Sequence, residues 1–540
     1  MSFKDSGKKK IASLKEALQK TPDEAVKTGL LKYFDGYEKD ALRILIVSII
    51  TCVCCYFYHI MYAYGCPDSL SEGVFYYRNA DVATGSARWM VRYINFFVGR
   101  NVVIPVISFP LYCLLIGYSC YLLCKMFNIR GCVAQVLLTA TCISFPVVLH
   151  HFCYPYIANI YSFSFLMTVV GTKMIREKKL AGFILGVVAY LLMLGSYQSY
   201  IGAISALGFI ALIWDMFNGE KVLKGLGNLL KVGAAGALAC VIDIPFSKFM
   251  ASIAGVSLYE RASLSIQSIF ENLGFSFHFG YAWFFSYFYS DDFLSRKKLY
   301  IVLSAIFVIM ILIVLVKLVL ARKIGQALVL LATVLLSPLA MNLCLLIFPS
   351  QGMRDIMRYH YVLAFVLLFA LFENESRAIY NNLIRYVAYI CVIGLVAGNC
   401  ITANSSAFMH KIMYEYTINQ GELMLSRLYE LDGYEPNNTP VILSNPIDVS
   451  HLIYRYPMIF KYTESEGGPV FWGGYFGMGT CRYHFFFDYL GMDFKEFPES
   501  EYLRITSSDE FKAMPVWPAE GSVAMIDGYA VIKNGEEPAR

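Results

Sequence analysis

Long apolar runs constrain this chain more than any other feature of its sequence. About eleven segments of roughly twenty residues carry few charges, and the first begins near residue 43. A helix needs about 20 apolar residues to cross the hydrocarbon core of a bilayer. The strands of a transmembrane β-barrel would instead alternate over about 10 residues. The chain is therefore predicted to be an α-helical polytopic membrane protein with about eleven transmembrane helices.

Composition supports this class. Charged residues make up 16% of the 540 positions, against about 25% in soluble domains, which excludes an ordinary soluble enzyme and a disordered chain. No cleavable signal peptide is expected, because the first apolar run starts far from the N-terminus and is long enough to span. Within a few residues, the predicted spans are 43–65, 102–124, 132–150, 154–172, 180–196, 198–216, 229–250, 299–320, 326–348, 358–373 and 383–403.

Positive charge is unevenly shared between the two sets of connecting segments. One set carries 14 Lys and Arg in 57 positions, and the other carries 10 in 109. Cytoplasmic loops are the richer in Lys and Arg, so the denser set is predicted to be cytoplasmic. Eleven spans then place the C-terminus outside the cell membrane. The denser set is 122–131, 171–180, 217–231, 317–325 and 374–386; the other is 66–101, 149–156, 194–200, 251–298 and 349–358.

Three regions follow from this topology. Residues 1–42 contain nine Lys and form a basic cytosolic segment, either a helix on the membrane surface or a solvated tail. Residues 43–403 form the transmembrane domain, with long outer loops at 66–101 and 251–298. Residues 404–540 hold 10 Lys and Arg against 19 Asp and Glu and are predicted to form a small extracytoplasmic α/β domain. Its predicted elements are a helix at about 408–431 and strands at 440–443, 523–526 and 529–532, with a hairpin turn at Asp527-Gly528.

The first long outer loop offers a carboxylate and a cation pair. Asp68 lies just beyond the first span, where a carboxylate can act as general base toward a hydroxyl at the membrane surface. Arg88 and Arg92, four residues apart on one helical face, could hold a phosphate. A solvated Asp and two snorkelling arginines are the competing interpretation. The aromatic stretches 87–94 and 275–289 are typical of helices at the membrane interface.

Two further groups of polar residues fall on the predicted outer side. Arg354 and Arg358 run against the positive-inside bias, which indicates phosphate binding, pairing with Asp355 or contact with lipid headgroups. His150 and His151, between the third and fourth spans, are candidates for substrate contact and weaker ones for metal binding. Tyr197 and Gln198, at the next outer turn, offer the hydrogen-bonding groups that sugars need.

Two acidic features remain. Asp291-Asp292 could act as a base or as ligands of a divalent metal, so that a metal is an open alternative although no cofactor is specifically predicted. Asp243 is the clearest acid inside an apolar run, where acids are functional by default, although Pro245 indicates a kinked outer half instead. No basic aromatic stripe favours nucleic acid, and no phosphate-binding glycine pattern favours a nucleotide.

Several short motifs resemble the Gtr type II family of membrane glucosyltransferases. They are Pro67-Asp68-Ser69-Leu70, Ala87-Arg88-Trp89, Ser196-Tyr197-Gln198-Ser199-Tyr200-Ile201, and the stretch 514–523 that leads to 526–532. The family is similar to the type-C (GT-C) glycosyltransferases, which use a polyprenyl-phosphate sugar and an acid in the first outer loop. The family often has Gly-Arg-Trp where this chain has Ala87-Arg88-Trp89, and no second acid adjoins Asp68.

The resemblance implies a single inverting displacement. Asp68, with Glu72 or Asp81 sharing its role, would take a proton from an acceptor hydroxyl. Polyprenyl phosphate would leave, while Arg88, Arg354 and Arg358 stabilise its charge. The expected partners are the lipid bilayer, a polyprenyl-phosphate sugar and an envelope glycan or its lipid-linked precursor. The alternatives are a transporter of polysaccharide or lipid-linked oligosaccharide, which should show polar mid-span residues and repeat symmetry, and a non-catalytic envelope protein.

Overall fold

The computed structural model describes most of the chain as helical, with one small sheet near the C-terminus. Of the basic segment 1–42, residues 1–38 lie outside the described residues. These residues are 39–62, 80–100, 104–177, 179–259, 273–289, 296–347, 355–374, 379–445 and 497–535, with isolated positions at 102, 447, 452, 455, 490–492 and 495.

The helices follow the apolar runs closely. In chain order they are α1 (Asp40–Tyr62), α2 (Ala80–Gly85), α3 (Met90–Gly99), α4 (Pro105–Met126), α5 (Cys132–Ser144), α6 (Pro146–Phe152), α7 (Ala158–Glu177), α8 (Leu180–Leu194), α9 (Ile201–Phe217), α10 (Val222–Ala254), α11 (Leu273–Tyr289), α12 (Arg296–Leu320), α13 (Ile324–Met341), α14 (Cys344–Ile347), α15 (Leu363–Asn374), α16 (Ile379–Tyr429), α17 (Glu499–Thr506) and α18 (Asp509–Ala513). Short 3₁₀ turns occupy Gln198–Tyr200, Asp355–Met357 and Tyr359–Val362.

Seven helices of the described chain are long and apolar enough to cross a membrane, or eight if the bent pair α5 and α6 forms one span. The seven are α1, α4, α9 with its preceding 3₁₀ turn, α10, α12, α13 and α16 from Asn382. Helix α8 and the segment Tyr359–Glu373 are apolar but shorter. Each predicted span overlaps one or two of these helices, so the protein is a helical membrane protein, while the count of eleven spans stays a prediction.

Contacts between the connections divide the bundle into two ends. At one end the turn 85–89 meets residues 195–198, and His151 meets Ile356. We call this the site end. At the opposite end Arg176 pairs with Asp215, Gln326 bonds residues 219 and 220, and Gly131 bonds Glu373. This grouping agrees with the predicted alternation of connections, and which end faces the cytoplasm stays a prediction.

A proline changes the third predicted span. The run 132–150 was expected to form one helix, with His150 and His151 between the third and fourth spans. Instead α5 ends at Ser144, and α6 begins at Pro146 at an angle of 44°. Proline has no N–H to donate to the preceding turn, which makes it suited to the first position of a new helix. Both histidines therefore lie on α6 and point to different neighbours.

The predicted boundary at residue 403 falls inside one continuous helix. Helix α16 has 51 residues, which at about 1.5 Å per residue is roughly 75 Å long and far exceeds a bilayer core of about 30 Å. It runs beside α1, with Asn404 bonded to the Cys54 carbonyl and Lys411 lying over the Tyr62 ring. Because Tyr62 is at the site end of α1, the C-terminal half of α16 projects from the site end.

The three predicted C-terminal strands are confirmed as β1 (Val441–Leu443), β2 (Val523–Ile526) and β3 (Tyr529–Ile532). The strand order is β1-β3-β2, with β1 parallel and β2 antiparallel to β3. Asp527 and Gly528 both have positive φ, as the hairpin turn requires. The sheet packs on the end of α16 through Met424 and Leu428.

An exposed arginine ties α17 to this hairpin. Arg504 donates hydrogen bonds to Glu501 and Asp527. The bond from Arg504 lowers the pKa of the Glu501 carboxyl.

Candidate functional site

A tight turn after α2 carries the Ala87-Arg88-Trp89 motif. The Ala87 and Arg88 amides donate to the carbonyls of Thr84 and Ala83, both at 2.9 Å, which closes the helix end. Ala87 has φ of 58°, in the left-handed region that glycine adopts most readily. This geometry gives a physical reason for glycine at the corresponding position of Gly-Arg-Trp sequences. The predicted helix 87–94 is correct only from Met90, where α3 begins.

The turn is fastened to the Ser196–Ile201 motif. The Gln198 Nε2 donates to the carbonyls of Ser86 at 3.1 Å and Ala87 at 2.8 Å. The Met90 amide donates to the Gly195 carbonyl at 2.8 Å. Two motifs about 110 residues apart in sequence therefore form one structural unit. The Gln198 amide nitrogen is used in these two hydrogen bonds. The predicted contact of Gln198 with substrate stays a prediction.

Trp89 is a buried strut rather than an interfacial side chain. It is 5% exposed, and its ring meets Phe246 edge-on at 4.7 Å. Its Nε1 donates to Asp243 Oδ1 at 3.0 Å. Ser247, one turn further along α10, donates to the same oxygen at 3.2 Å. The acid that stood out within an apolar run is thus joined to the turn that presents Arg88.

Arg88 lies with its guanidinium carbon 4.9 Å from the centre of the Tyr197 ring. This cation–π contact is the one interaction of its side chain within the described part of the chain, and its buried Nε has no hydrogen-bond partner there. A half-buried cation without a carboxylate is costly unless something else supplies negative charge. The arrangement can therefore receive an anion.

A second cluster surrounds Asp355. Arg358 Nη1 donates to Asp355 Oδ1 at 2.6 Å, and His150 Nε2 lies 4.0 Å from the other carboxylate oxygen. The Arg358 guanidinium carbon also lies 5.9 Å from the centre of the Trp283 ring on α11. Of the interpretations open for Arg358, the structure thus shows pairing with Asp355. Phosphate binding by Arg358 and substrate contact by His150 stay predictions.

His151 connects the Asp355 cluster to the residues around Arg88, which we call the Arg88 cluster (Arg88, Trp89, Tyr197 and Gln198). It is fully buried, and its Nε2 lies 3.0 Å from the Ile356 carbonyl oxygen and its Nδ1 2.7 Å from the Tyr112 hydroxyl. A carbonyl can only accept, so Nε2 carries the proton, and Tyr112 donates to Nδ1. Both ring nitrogens are therefore engaged. The geometry assigns it a linking role, and its predicted substrate contact stays a prediction.

Stacked rings complete the connection to Arg88. The His151 ring stacks on Tyr161 at 4.1 Å, and Tyr161 meets Tyr197 edge-on at 4.8 Å. Tyr197 in turn carries Arg88. A wall of rings therefore joins the Arg88 cluster to the Asp355 cluster across the site end. Neither Tyr112 nor Tyr161 was singled out from the sequence, because nothing near them in the chain marks them as different from other aromatic residues of a span.

Several predicted residues cannot be placed. Asp68, Glu72 and Arg354 lie outside the described residues, as do Asp291 and Asp292. The backbone of Asp81 is in α2, but its side chain lies outside the description. No three His, Cys, Asp or Glu side chains within the described ranges are arranged to hold a metal ion. The catalytic roles of Asp68, Glu72 and Asp81 therefore stay predictions.

Comparison with known proteins identifies one family. The family model described as glucosyl transferase GtrII matches residues 72–371, more than half of the chain. The matched region contains the turn 85–89, the residues 195–198, Asp243 and the Asp355 cluster. No curated protein and no solved structure matches the chain. The chain belongs to the GtrII glucosyl transferase family.

Proposed function

We propose that the protein moves a glucosyl group from a polyprenyl-phosphate donor to an envelope glycan or its lipid-linked precursor. The reaction takes place at the outer face of the cell (inner) membrane. The family supports a membrane glucosyl transferase. The donor, the acceptor and the side of the membrane are the further content of the proposal.

The cation at Arg88 carries this proposal. A guanidinium fork matches the oxygens of a phosphate, and it stabilises the charge that grows there as the sugar departs. Arg88 has no carboxylate partner among the described residues. The backbone on both sides of Arg88 is fixed, because the Met90 amide donates to the Gly195 carbonyl and the Gln198 side chain donates to the Ala87 carbonyl. A preorganised cation of this kind suits the phosphate of a lipid-linked donor.

The surroundings of the site suit a donor with a lipid tail. Helix α11, which supplies Trp283 to the Asp355 cluster, exposes Phe275, Phe277 and Phe285. Large apolar side chains on a helix at the membrane interface, where α11 is expected, can contact lipid. A polyprenyl chain could therefore lie against the bundle while its phosphate reaches the site end. A water-soluble nucleotide sugar would gain nothing from such a surface.

The proposed chemistry is one displacement at the anomeric carbon. A carboxylate, for which Asp68 is the candidate, accepts the proton of the acceptor hydroxyl. The acceptor oxygen forms a bond to the anomeric carbon as the bond from that carbon to the phosphate oxygen breaks. Polyprenyl phosphate leaves with the electron pair, and Arg88 offsets its charge. Attack from the face opposite the leaving group inverts the configuration.

The excess of Lys and Arg in the alternate connections supports the outer placement. The segments that meet at the site end belong to the sparser set, which the positive-inside rule assigns to the outside. A donor that presents its sugar on the outer leaflet would meet the site end directly.

Substitution of Arg88 tests the proposal. In purified protein reconstituted in vesicles, Arg88→Ala should reduce glucose transfer from synthetic polyprenyl-phosphate glucose by about 10²–10³-fold, the usual effect of losing one charge-stabilising donor. Arg88→Lys keeps the charge but loses the fork, so it should fall between Arg88→Ala and the wild type. Arg130→Lys is the matched control, because this exposed arginine lies at the opposite end and bonds Asn128. Unchanged donor kinetics in Arg88→Ala would show that Arg88 does not bind the donor phosphate.

A further inference from the structure

Asp243 stands out as an acid whose surroundings are almost entirely apolar. It is 8% exposed and lies within α10, a helix long and apolar enough to cross a membrane. Acids at such positions are expensive and are kept for a reason. Its Oδ1 accepts hydrogen bonds from Trp89 Nε1 and Ser247 Oγ. The only element that it joins to α10 through a hydrogen bond, among the described residues, is the turn that carries Arg88.

The Trp89 ring is held on a second side by Gly195. A methyl group added at Gly195 would lie 2.1 Å from the Trp89 ring, closer than any real contact. The ring can occupy its place only because residue 195 has no side chain. Asp243 and Gly195 thus hold the indole between them, and the backbone bond from Met90 to Gly195 closes the same junction.

We propose that Asp243 is a positioning residue that fixes Trp89, and through it holds Arg88 over Tyr197. Arg88 immediately precedes Trp89, so a rotation of the indole displaces the backbone from which the guanidinium extends. Gln198 holds the other side of the same turn through the Ala87 carbonyl. The Asp243 carboxyl acts here as a hydrogen-bond acceptor and takes no part in proton transfer. The inference rests on the proposed function, in which Arg88 receives the donor phosphate.

Conservative and disruptive variants separate positioning from direct chemistry. Asp243→Leu fills a similar volume but accepts no hydrogen bond, and Trp89→Phe keeps an aromatic ring but loses the donor. Both should raise the KM for polyprenyl-phosphate glucose by about 10-fold to 100-fold, as a displaced binding group does, and should also lower kcat, because the displaced guanidinium stabilises the leaving phosphate less well. Asp243→Asn retains an oxygen that accepts both bonds, so it should restore most of the donor use lost in Asp243→Leu.

Gly195→Ala tests the other side of the junction. It should raise the donor KM as Trp89→Phe does, because the added methyl displaces the ring. Gly233→Ala on α10 is its control, since a methyl there meets nothing within 4 Å. Direct binding of polyprenyl phosphate, measured without transfer, should weaken in Gly195→Ala and Trp89→Phe and stay unchanged in Gly233→Ala.

Two results would overturn the inference. A folded Asp243→Asn protein as inactive as Asp243→Leu would show that the carboxylate itself reacts. A wild-type donor KM in both Trp89→Phe and Asp243→Leu would show that the hydrogen bond between Trp89 and Asp243 does not position Arg88.

Failure of the proposed function would give a different result. The wild type itself would then neither bind polyprenyl phosphate nor transfer glucose from polyprenyl-phosphate glucose. The junction would still be testable through the fluorine NMR signal of 5-fluorotryptophan at position 89, assigned with Trp89→Phe. This signal should move in Asp243→Leu and Gly195→Ala and stay in place in Gly233→Ala. A signal that does not move in Asp243→Leu would itself contradict the contact.

Discussion

Individual residues at the site end show how a few contacts turn scattered polar side chains into a site. Arg88 and Tyr197 are 109 positions apart in sequence, and yet the guanidinium lies on the ring. Ala87 adopts a backbone conformation that costs a non-glycine residue about 1 kcal/mol. That cost persists because hydrogen bonds from Gln198 and Met90 fix the turn on both sides of it.

The pairing of Arg358 with Asp355 leads to a prediction at the same scale. Because the two groups are 2.6 Å apart, removing either should remove the same interaction. In the rate of transfer from polyprenyl-phosphate glucose, Asp355→Asn and Arg358→Gln should therefore be non-additive, with a coupling of about 1 kcal/mol or more. Additive losses would show that Arg358 acts independently of Asp355, as a direct phosphate ligand would. Glu501→Gln with Arg504→Gln, an exposed pair in the C-terminal region, is the control cycle and should couple weakly or not at all in the transfer rate.

Several residues that the sequence singles out lie close together in the structure, although the sequence shows few of their contacts. Arg88, Tyr197, Gln198, His150, His151 and Arg358 were all singled out, and all six lie in the two joined clusters. They are polar or charged residues between apolar runs, and such residues can be recognised in a sequence. Their partners cannot: Trp89 and Asp243 are 154 residues apart. A long-range hydrogen bond of this kind leaves no local pattern.

At the scale of the elements, run length predicted the long helices of the bundle, because an apolar run of about 20 residues has few other stable conformations in lipid. The bend at Pro146 and the length of α16 were missed. The first depends on one missing amide within an unbroken apolar run. The second occurs because a helix continues past the membrane for as long as its next residues find tertiary partners, as Met424 and Leu428 do on the small sheet.

Close packing of α7 against α8 gives the prediction for this scale. A methyl at Gly171 would lie 2.6 Å from the Tyr190 ring and 3.2 Å from the Gly186 carbonyl oxygen. Small residues allow membrane helices to approach closely, and overpacking such a contact typically costs about 1–3 kcal/mol. Gly171→Ala should therefore lower the thermal unfolding midpoint of the purified protein, whereas Gly233→Ala should leave it unchanged or slightly raised. Equal midpoints for the two variants would contradict this packing.

At the scale of the whole molecule, two ends with different charge define the architecture. The Lys-rich connections and the Arg176–Asp215 pair lie at the end opposite the site. The C-terminal half of α16 and its sheet lie at the site end. The predicted orientation therefore puts the candidate site and the C-terminal region on the same, outer side.

Reporter fusions test this orientation. A reporter inserted at residue 176 should read cytoplasmic, because it lies in the denser set of positive charges. One inserted at residue 470, in the acidic C-terminal region, should read external. If both report the same side, the number of spans between them is wrong by an odd number, and the outer location of the site fails.

Donor use tests the central claim most directly. The measurement is the initial rate of radiolabelled glucose transfer to envelope glycan taken from cells that lack the protein, catalysed by purified protein in vesicles. We expect transfer from polyprenyl-phosphate glucose and none from UDP-glucose. Asp68→Asn should reduce that rate by about 10²–10⁴-fold, the usual effect of losing a general base. Asp81→Asn and Asp291→Asn are measured in the same assay for comparison. Transfer from UDP-glucose, or a wild-type rate in all three variants, would contradict the account.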